Sequence, residues 1–412
     1  MKKLLTFTAL GTILAAAGAQ AAGFHLREQS SAAQGNAYAG ATAGAENISY
    51  AYFNAAGITR QKGTNFNFGG TYIIPKAEMK NVQDSSGTYN ADSHNIVHAA
   101  IAPNMAISHQ LNEKAYLALA LNVPFGMITK YDAGWAGNGH GVTSKITAIT
   151  LTPMAAYKVT DKLSLGVGLQ IQYIKARLTQ GFAKGNKTNT SVEGDTVDLG
   201  WQIGSMYEFN DQTRLGIAYR SHVQHKIKGD LNTPYSSLNG DIYAHLTTPA
   251  MFSIGLYHDI NEKWSVMAEY QRVFWSSFRD LYINYKDGRP VSATREKWRD
   301  TNFYAVGASY KIDNQWKWRL GLAYDQAAVR LQHRTPRIPD SDRLWYSTGL
   351  NYQYNEKLSF DLAYTYIYAH KAHLDTKRTG NRGPSAPYPA QDVTAEYKNS
   401  VQLVGFSLNY KF

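Results

Sequence analysis

Leu358-Ser359-Phe360-Asp361-Leu362-Ala363-Tyr364-Thr365-Tyr366-Ile367-Tyr368 sets large apolar residues against small or polar ones at every second position. Strand side chains point alternately to opposite faces, so this period gives one apolar face and one polar or small face. The pattern recurs in 344–354, where Leu344, Tyr346, Leu350, Tyr352 and Tyr354 oppose Trp345, Ser347, Gly349, Asn351 and Gln353. Trp316, Trp318, Leu320, Leu322 and Tyr324 oppose Lys317, Arg319, Gly321 and Ala323, and Leu163, Leu165, Val167, Leu169, Ile171 and Tyr173 form another apolar row. Extended along the chain, the period predicts about fourteen strands, near 63–75, 95–110, 115–127, 145–159, 162–179, 195–209, 212–229, 240–260, 262–286, 298–312, 315–333, 342–355, 357–371 and 395–412.

The connections alternate as well. Short turns at Thr160-Asp161, Asn210-Asp211, Asn261-Glu262, Asp313-Asn314 and Asn355-Glu356 are separated by longer polar stretches near 80–94, 128–144, 180–194, 230–239, 287–297, 334–341 and 372–394. Short turns on one rim and long loops on the other are the pattern of an outer-membrane barrel. A soluble β-sandwich also alternates, but its strands average about five or six residues, shorter than many here. Trp264, Trp275, Trp298, Trp316, Trp345, Tyr346 and Tyr368 fall near strand ends, where interfacial girdles are expected. Val404, Phe406, Leu408, Tyr410 and Phe412 alternate to an aromatic end that resembles the signal read by the barrel insertion machinery. The fold class is therefore all-β, a transmembrane antiparallel barrel of about 14 strands in the outer membrane of a Gram-negative bacterium, expected to act as a monomer.

Composition agrees. A mean hydropathy of -0.39, with a single apolar stretch near helix-spanning length, excludes a polytopic helical membrane protein. The absence of Cys excludes a disulfide framework, a thiolate metal site and Cys catalysis. The net charge of +11 is spread over strands and loops and forms no backbone-binding stripe, so no nucleic-acid partner is expected. Outer-membrane lipids, whose phosphates can meet Lys and Arg of the outer loops, are the bland destination of that charge.

Residues 1–21 read as an export signal: Lys2 and Lys3, an apolar core from Leu4 to Ala17, then Ala19-Gln20-Ala21 as the cleavage pattern. The mature chain is expected to divide into 22–61 and a barrel over 62–412. Residues 30–44 are rich in Ala, Gly and Ser without sustained alternation. Composition admits either a compact plug or a flexible periplasmic tail. A barrel of about fourteen strands encloses a lumen too wide for its own side chains to fill, which gives an N-terminal hatch a physical use.

Glu269, Arg319 and Asp361 fall within strands on the polar side. A charge on the lipid face costs roughly 2–4 kcal/mol for Arg at the midplane, so all three should face the lumen. There they either pair with one another or the hatch, or Arg319 helps to hold an anionic head group by charge-assisted hydrogen bonds.

Ala22-Gly23-Phe24-His25-Leu26, Ser30-Ser31, Gly35-Asn36-Ala37-Tyr38-Ala39-Gly40, Tyr219-Arg220-Ser221 and Ile338-Pro339-Asp340-Ser341-Asp342-Arg343-Leu344-Trp345 together resemble the FadL family of outer-membrane transporters for long-chain fatty acids and other hydrophobic compounds. The resemblance covers the mature chain and implies a fourteen-stranded barrel closed by an N-terminal hatch. It also implies lateral delivery, in which a ligand caught at the outer loops passes to an apolar lumenal pocket and leaves through a gap at a kink in the third strand. The family's Asn-Pro-Ala hatch motif stands here as Asn54-Ala55-Ala56: the Asn carries over and the Pro does not. The third strand holds Asn122-Val123-Pro124-Phe125-Gly126. Pro124 cannot donate to a ladder and Gly126 weakens pairing, so a break is expected there, either a gate or an ordinary strand end. Phe125, Met127, Ile128, Tyr131 and Trp135 are the candidate ligand path, and Asn54, Pro124 and Gly126 the candidate lateral gate and hatch. The polar 180–194 connection leaves open whether an external capture groove exists.

The expected function is passive uptake of long-chain fatty acids or similar hydrophobic molecules. Monoaromatic hydrocarbon uptake is the alternative, and a general porin a weaker one. His222, His225, His370 and His373 lie near rims without an activating constellation, so no catalytic residue, metal site or cofactor is expected.

Overall fold

The computed structural model describes residues 23–84, 92–181, 189–379 and 392–412; the expected leader over 1–21 lies outside them. Among the described residues, nineteen strand segments form one antiparallel sheet. They are β1 (Thr64–Asp84), β2 (Ala100–Gln110), β3 (Ala115–Lys130), β4 (Thr143–Lys158), β5 (Leu163–Gly181), β6 (Asn189–Glu208), β7 (Thr213–Arg220), β8 (Val223–Asn232), β9 (Gly240–Thr248), β10 (Met251–Asp259), β11 (Trp264–Val273), β12 (Asp280–Tyr285), β13 (Pro290–Arg295), β14 (Thr301–Lys311), β15 (Trp316–Asp325), β16 (Arg343–Gln353), β17 (Leu358–Ala369), β18 (Ala372–Asp375) and β19 (Val393–Lys411). Five pairs, β7/β8, β9/β10, β11/β12, β13/β14 and β17/β18, continue one stave across a break, so nineteen segments make fourteen staves. β1 pairs with β19 from Asn65↔Lys411 to Asp84↔Val393, which closes the barrel and leaves no free edge.

The period of two decides which way each side chain points. In β17, Leu362, Tyr364, Tyr366 and Tyr368 face out, while Asp361, Ala363, Thr365 and Ile367 are buried. Near the short-turn rim Trp264 packs at a tilt on Tyr310 (4.7 Å) and Trp316 on Tyr352 (4.6 Å), all on the outer wall. Trp275, Trp298 and Trp345 are not girdle residues, with exposures of 0%, 2% and 1%. Trp345 lies on the inward side of its alternation, and the other two lie where the wall breaks and the alternation stops deciding direction.

The short turns share one device. Asn112 Oδ1 accepts the amides of Lys114 and Ala115. Thr160, Asn210, Asn261, Asp313 and Asn355 repeat this on the amides two and three residues on. Such side-chain turns reverse the chain without exposing unpaired amides. β15, expected to run to 333, stops at Asp325. Asp342 takes the Ala327 amide (2.8 Å), and Asp340 takes those of Ala328 (2.7 Å) and Val329 (3.2 Å), pulling this stretch out of the sheet. Asp340 and Asp342 thus make the 338–345 stretch a loop clamp.

Residues 23–61 fill the lumen with α1 (Ser31–Gly35), α2 (Ala41–Gly44) and two 3₁₀ turns, Ile48–Tyr52 and Ala55–Arg60. Ser30, Asn47 and Asn54 cap three of these by accepting the amides of Ala33, Ser49 and Ala56. The wall meets this segment with glycine. A Cβ on Gly166, Gly204, Gly216 or Gly321 would land on atoms of Ala55, Asn54, Thr42 or Asn36 respectively. The small inward face is therefore a contact surface shaped to backbone.

Candidate functional site

β3 is where the wall opens. Its ladder with β2 runs from Gln110↔Tyr116 to Met105↔Leu121 and stops, and the next link toward the outer rim is the bridge Val97↔Thr129. Against β4 the register shifts between Asn122 and Phe125. Pro124 supplies no amide here, and Asn122 to Met127 are all buried, so alternation is lost over the same residues.

The N-terminal segment takes the place of β2. Leu26 N donates to Pro124 O (2.8 Å) and Gly126 N to Phe24 O (2.9 Å), with His25 bridged to Phe125. Gln29 Nε2 donates to Val123 O (2.8 Å), and Val123 N donates back to Gln29 Oε1 (3.2 Å). A Cβ on Gly126 would stand 2.9 Å from Leu26 Cδ1. The backbone groups exposed by the break are thus satisfied by an element that is not part of the wall.

The same segment floors a chamber. The Phe24 ring lies 4.8 Å from Trp275, 5.7 Å from Trp298, 5.9 Å from Phe125 and 6.0 Å from Phe278. Above it is a cavity of about 60 Å³ lined by Met127, Ile146, Leu178, Ile227, Leu246 and other apolar side chains, with Glu296 and Arg337 its charged members. A second cavity of about 70 Å³ shares Leu178, Val192, Leu281, Ile283, Glu296 and Arg337 and adds His140, Gln180, Thr190 and Thr294. The two cavities share these walls, the second with the more polar lining and the first with the more apolar one.

Arg337 stands at the junction. Its Nη1 donates to Thr143 O (3.3 Å), Ser144 Oγ (3.1 Å) and Thr179 O (3.3 Å), and its Nη2 to Gln180 Oε1 (3.0 Å), all neutral acceptors. Burial lowers its pKa to about 10, opposed by the charges of Glu296 and Tyr131. Glu296 accepts the Trp298 indole N–H (2.9 Å), and burial pushes its carboxyl up to about 7. A partly desolvated guanidinium with neutral partners beside an apolar cavity offers charge-assisted hydrogen bonds to an anion.

The structure brings together only some of the residues expected from sequence. Met127 lines the chamber, Phe125 belongs to the aromatic floor, and Ile128 packs between wall and hatch. Tyr131 and Trp135 stack on each other at 4.4 Å, and the Tyr131 hydroxyl donates to Pro336 O (2.6 Å). They belong to a separate rim cluster with Tyr397 and do not line the chamber. The hydrogen bonds of Asn54 go to Thr42 O, Ser205 O and Ala56 N, on the β6 side and away from Pro124 and Gly126.

Glu269 accepts the amide and hydroxyl of Thr42. Arg319 donates to Asp361 (2.9 Å) and to Glu46 of the hatch (2.7 Å). Asp361 also accepts Asn351 (2.9 Å) and Asn409 (2.8 Å). Two carboxylates thus engage both terminal nitrogens of Arg319. Phe24, Glu296 and Arg337 were missed as site residues in the sequence. Arg337 had one signal, its place directly before the 338–345 stretch.

Residues 12–412 match the family described as outer membrane protein transport protein (OMPP1/FadL/TodX). The chain is 31% identical to outer membrane protein P1 of Haemophilus influenzae, covering all of both chains. It is 28% identical to the long-chain fatty acid transport protein of Escherichia coli O6:H1, covering all of this chain and 99% of the other. Among solved structures, a Pseudomonas aeruginosa FadL homologue superposes with a TM-score of 0.86 at 25% identity, over 95% of this chain and all of that one. The Ralstonia pickettii toluene transporter TbuX, 18% identical over 89% of this chain and 94% of its own, shares the fold at a TM-score of 0.67. A closed fourteen-stave barrel, a lumenal segment completing an interrupted third strand, and these matches together make the chain a member of the OMPP1/FadL/TodX family of outer-membrane transport proteins.

Proposed function

We propose that the protein carries long-chain fatty acids down their partition gradient, from the outer face through the chamber and out through the wall between β2 and β3. The observation that carries this reading is Arg337, a cation with neutral partners at the top of an apolar cavity whose floor is Phe24. The carboxylate binds Arg337 and the acyl chain lies along Met127 and Ile146 toward Phe24. Each methylene removed from water contributes about 0.8 kcal/mol, which supplies the driving force without an energy source. When Phe24–Gln29 leaves β3, the unpaired stretch at Pro124–Gly126 becomes an opening to the bilayer. In this reading residues 1–21 are removed on export, residues 22–61 are the hatch and residues 62–412 are the barrel, acting as a monomer and catalysing no reaction. The last strand is read by the barrel insertion machinery.

A hydrocarbon has no use for Arg337, so the two ligand classes separate there. Cells lacking the protein are complemented at matched surface levels with wild type or Arg337→Met. Wild type is expected to restore labelled oleate uptake, and the variant to lose about 1.5–3 kcal/mol of carboxylate affinity. Toluene uptake should be equal in both. Oleate uptake unchanged by Arg337→Met would sink the carboxylate assignment.

A further inference from the structure

The outer wall carries a dent that the transport path does not use. The β10–β11 ladder ends at Met251↔Val273, followed by Phe274 N to Ala250 O (2.9 Å). Pairing between the same two staves resumes only at Ala244↔Ile283. Between these points the chain turns Trp275 and Phe278 inward to floor the chamber. That detour leaves an open groove of about 570 Å³ outside, lined by Tyr219, His222, Phe274, Ser276, Arg279 and Tyr282, among others, with Asp280 its acid.

The level of the groove follows from the residues beneath it. Trp264, Val266 and Tyr270 face lipid along β11, and Tyr304 and Val306 along β14. Tyr270 packs on Tyr304 at 5.4 Å and donates to Asn302, and the next outward residue, Arg272, pairs with Asp300 at 3.0 Å. An apolar column ending in tyrosines and then charge marks the edge of the hydrocarbon layer. The groove begins two residues beyond Arg272, at head-group depth.

Of the residues that line it, Arg279 and Asp280 carry opposite charges, and the excess of cations lies beside it. Arg279 is exposed, and its carbonyl accepts the amides of Glu296 and Lys297, which sets exposed Lys297 beside it. Lys297, Arg295 and Arg330 all act on the His333 ring, with Asp280 the acid among them. Asp300 is already engaged by Arg272 and the Ser276 amide. Tyr282, 51% exposed, and Phe274 supply apolar surface on the same dent. Cations at head-group depth over aromatic surface match an anionic amphiphile, and the outer leaflet consists of one.

We propose that this dent holds the head group of a phosphate-bearing glycolipid of the outer leaflet, its phosphate on Arg279 and Lys297, its sugar rings against Phe274 and Tyr282 and its acyl chains in the hydrocarbon layer below. The test uses the purified full-length barrel in mild detergent, given lipid A carrying both phosphates, its dephosphorylated form, or inorganic phosphate, and read by native mass spectrometry. Wild type should retain one bis-phosphorylated lipid A. Retention should fall by about tenfold or more, about 1.4 kcal/mol, in the double variant Arg279→Ala, Lys297→Ala and with the dephosphorylated lipid. Both substituted residues are exposed, and heat-modifiable migration verifies barrel assembly. Lys76→Ala, an exposed cation on β1, should retain lipid like wild type. Equal retention in the double variant, equal retention of dephosphorylated lipid, displacement by inorganic phosphate, or the same loss in Lys76→Ala would each overturn the proposal.

Discussion

Glu296 is the titrating group beside Arg337, the proposed carboxylate-binding position. Glu296 is held near 7 because burial disfavours its anion more than the Trp298 indole N–H and the Arg337 charge favour it. Above about pH 7 it is an anion beside Arg337, and below that it is neutral. An alkyl sulfonate, whose own charge does not titrate, should therefore bind more tightly at pH 6 than at pH 8. The gain is at most about tenfold for each pKa unit by which the bound anion raises Glu296. Glu296→Gln should bind tightly at both values, and tryptophan fluorescence of the floor reads the titration. Binding that weakens on acidification would refute the pairing. The same raised pKa makes this carboxyl favour the folded state below its unfolded value, a contribution lost as pH rises through about 7. Neither residue was legible as a site residue, because both lie in loops where no periodicity fixes direction. Glu269, Arg319 and Asp361 were legible as lumenal, since a strand charge on the lipid side is too costly. Sequence left open whether Arg319 faced a ligand or a carboxylate, because Glu46 comes from far along the chain.

At the scale of elements, the proposed path turns on two contacts. Gly126 faces Leu26, so Gly126→Phe should fill the space that the departing segment vacates. Oleate uptake should fall about 5- to 30-fold, the ratio for one or two kcal/mol, with surface levels of folded barrel unchanged. Uptake equal to wild type would remove Gly126 from the gate. Gly321 faces the backbone of Asn36, so Gly321→Val has no flexible side chain to push aside and must displace the hatch. Overpacking of this kind costs about 1–3 kcal/mol. Planar-bilayer recordings should then show steady conductance where wild type shows little, and a silent variant would mean the hatch does not seal the lumen. The staves were legible because alternation is strict wherever lipid lies on one side. The break in β3 was legible from Pro124 and Gly126. The inward turn of Trp275 and Trp298 was not, because a tryptophan near a strand end suits a girdle and an aromatic floor equally well.

At the scale of the whole molecule, the hatch ties the chamber to the wall. Phe24 floors the cavity with its ring and pairs with Gly126 through its carbonyl. On the proposed route, emptying the chamber floor and opening the wall are thus one movement of one short segment. The chain has no native Cys, so a single engineered disulfide can hold that segment in place. His25 and Phe125 are bridge partners, at the separation a disulfide requires. The decisive measurement is oleate uptake by cells carrying His25→Cys with Phe125→Cys, oxidised and then reduced. Exit through the wall predicts that uptake stops when the disulfide forms and returns on reduction, with each single variant indifferent to oxidant. Uptake that continues unchanged with the segment locked to β3 would contradict lateral exit between β2 and β3.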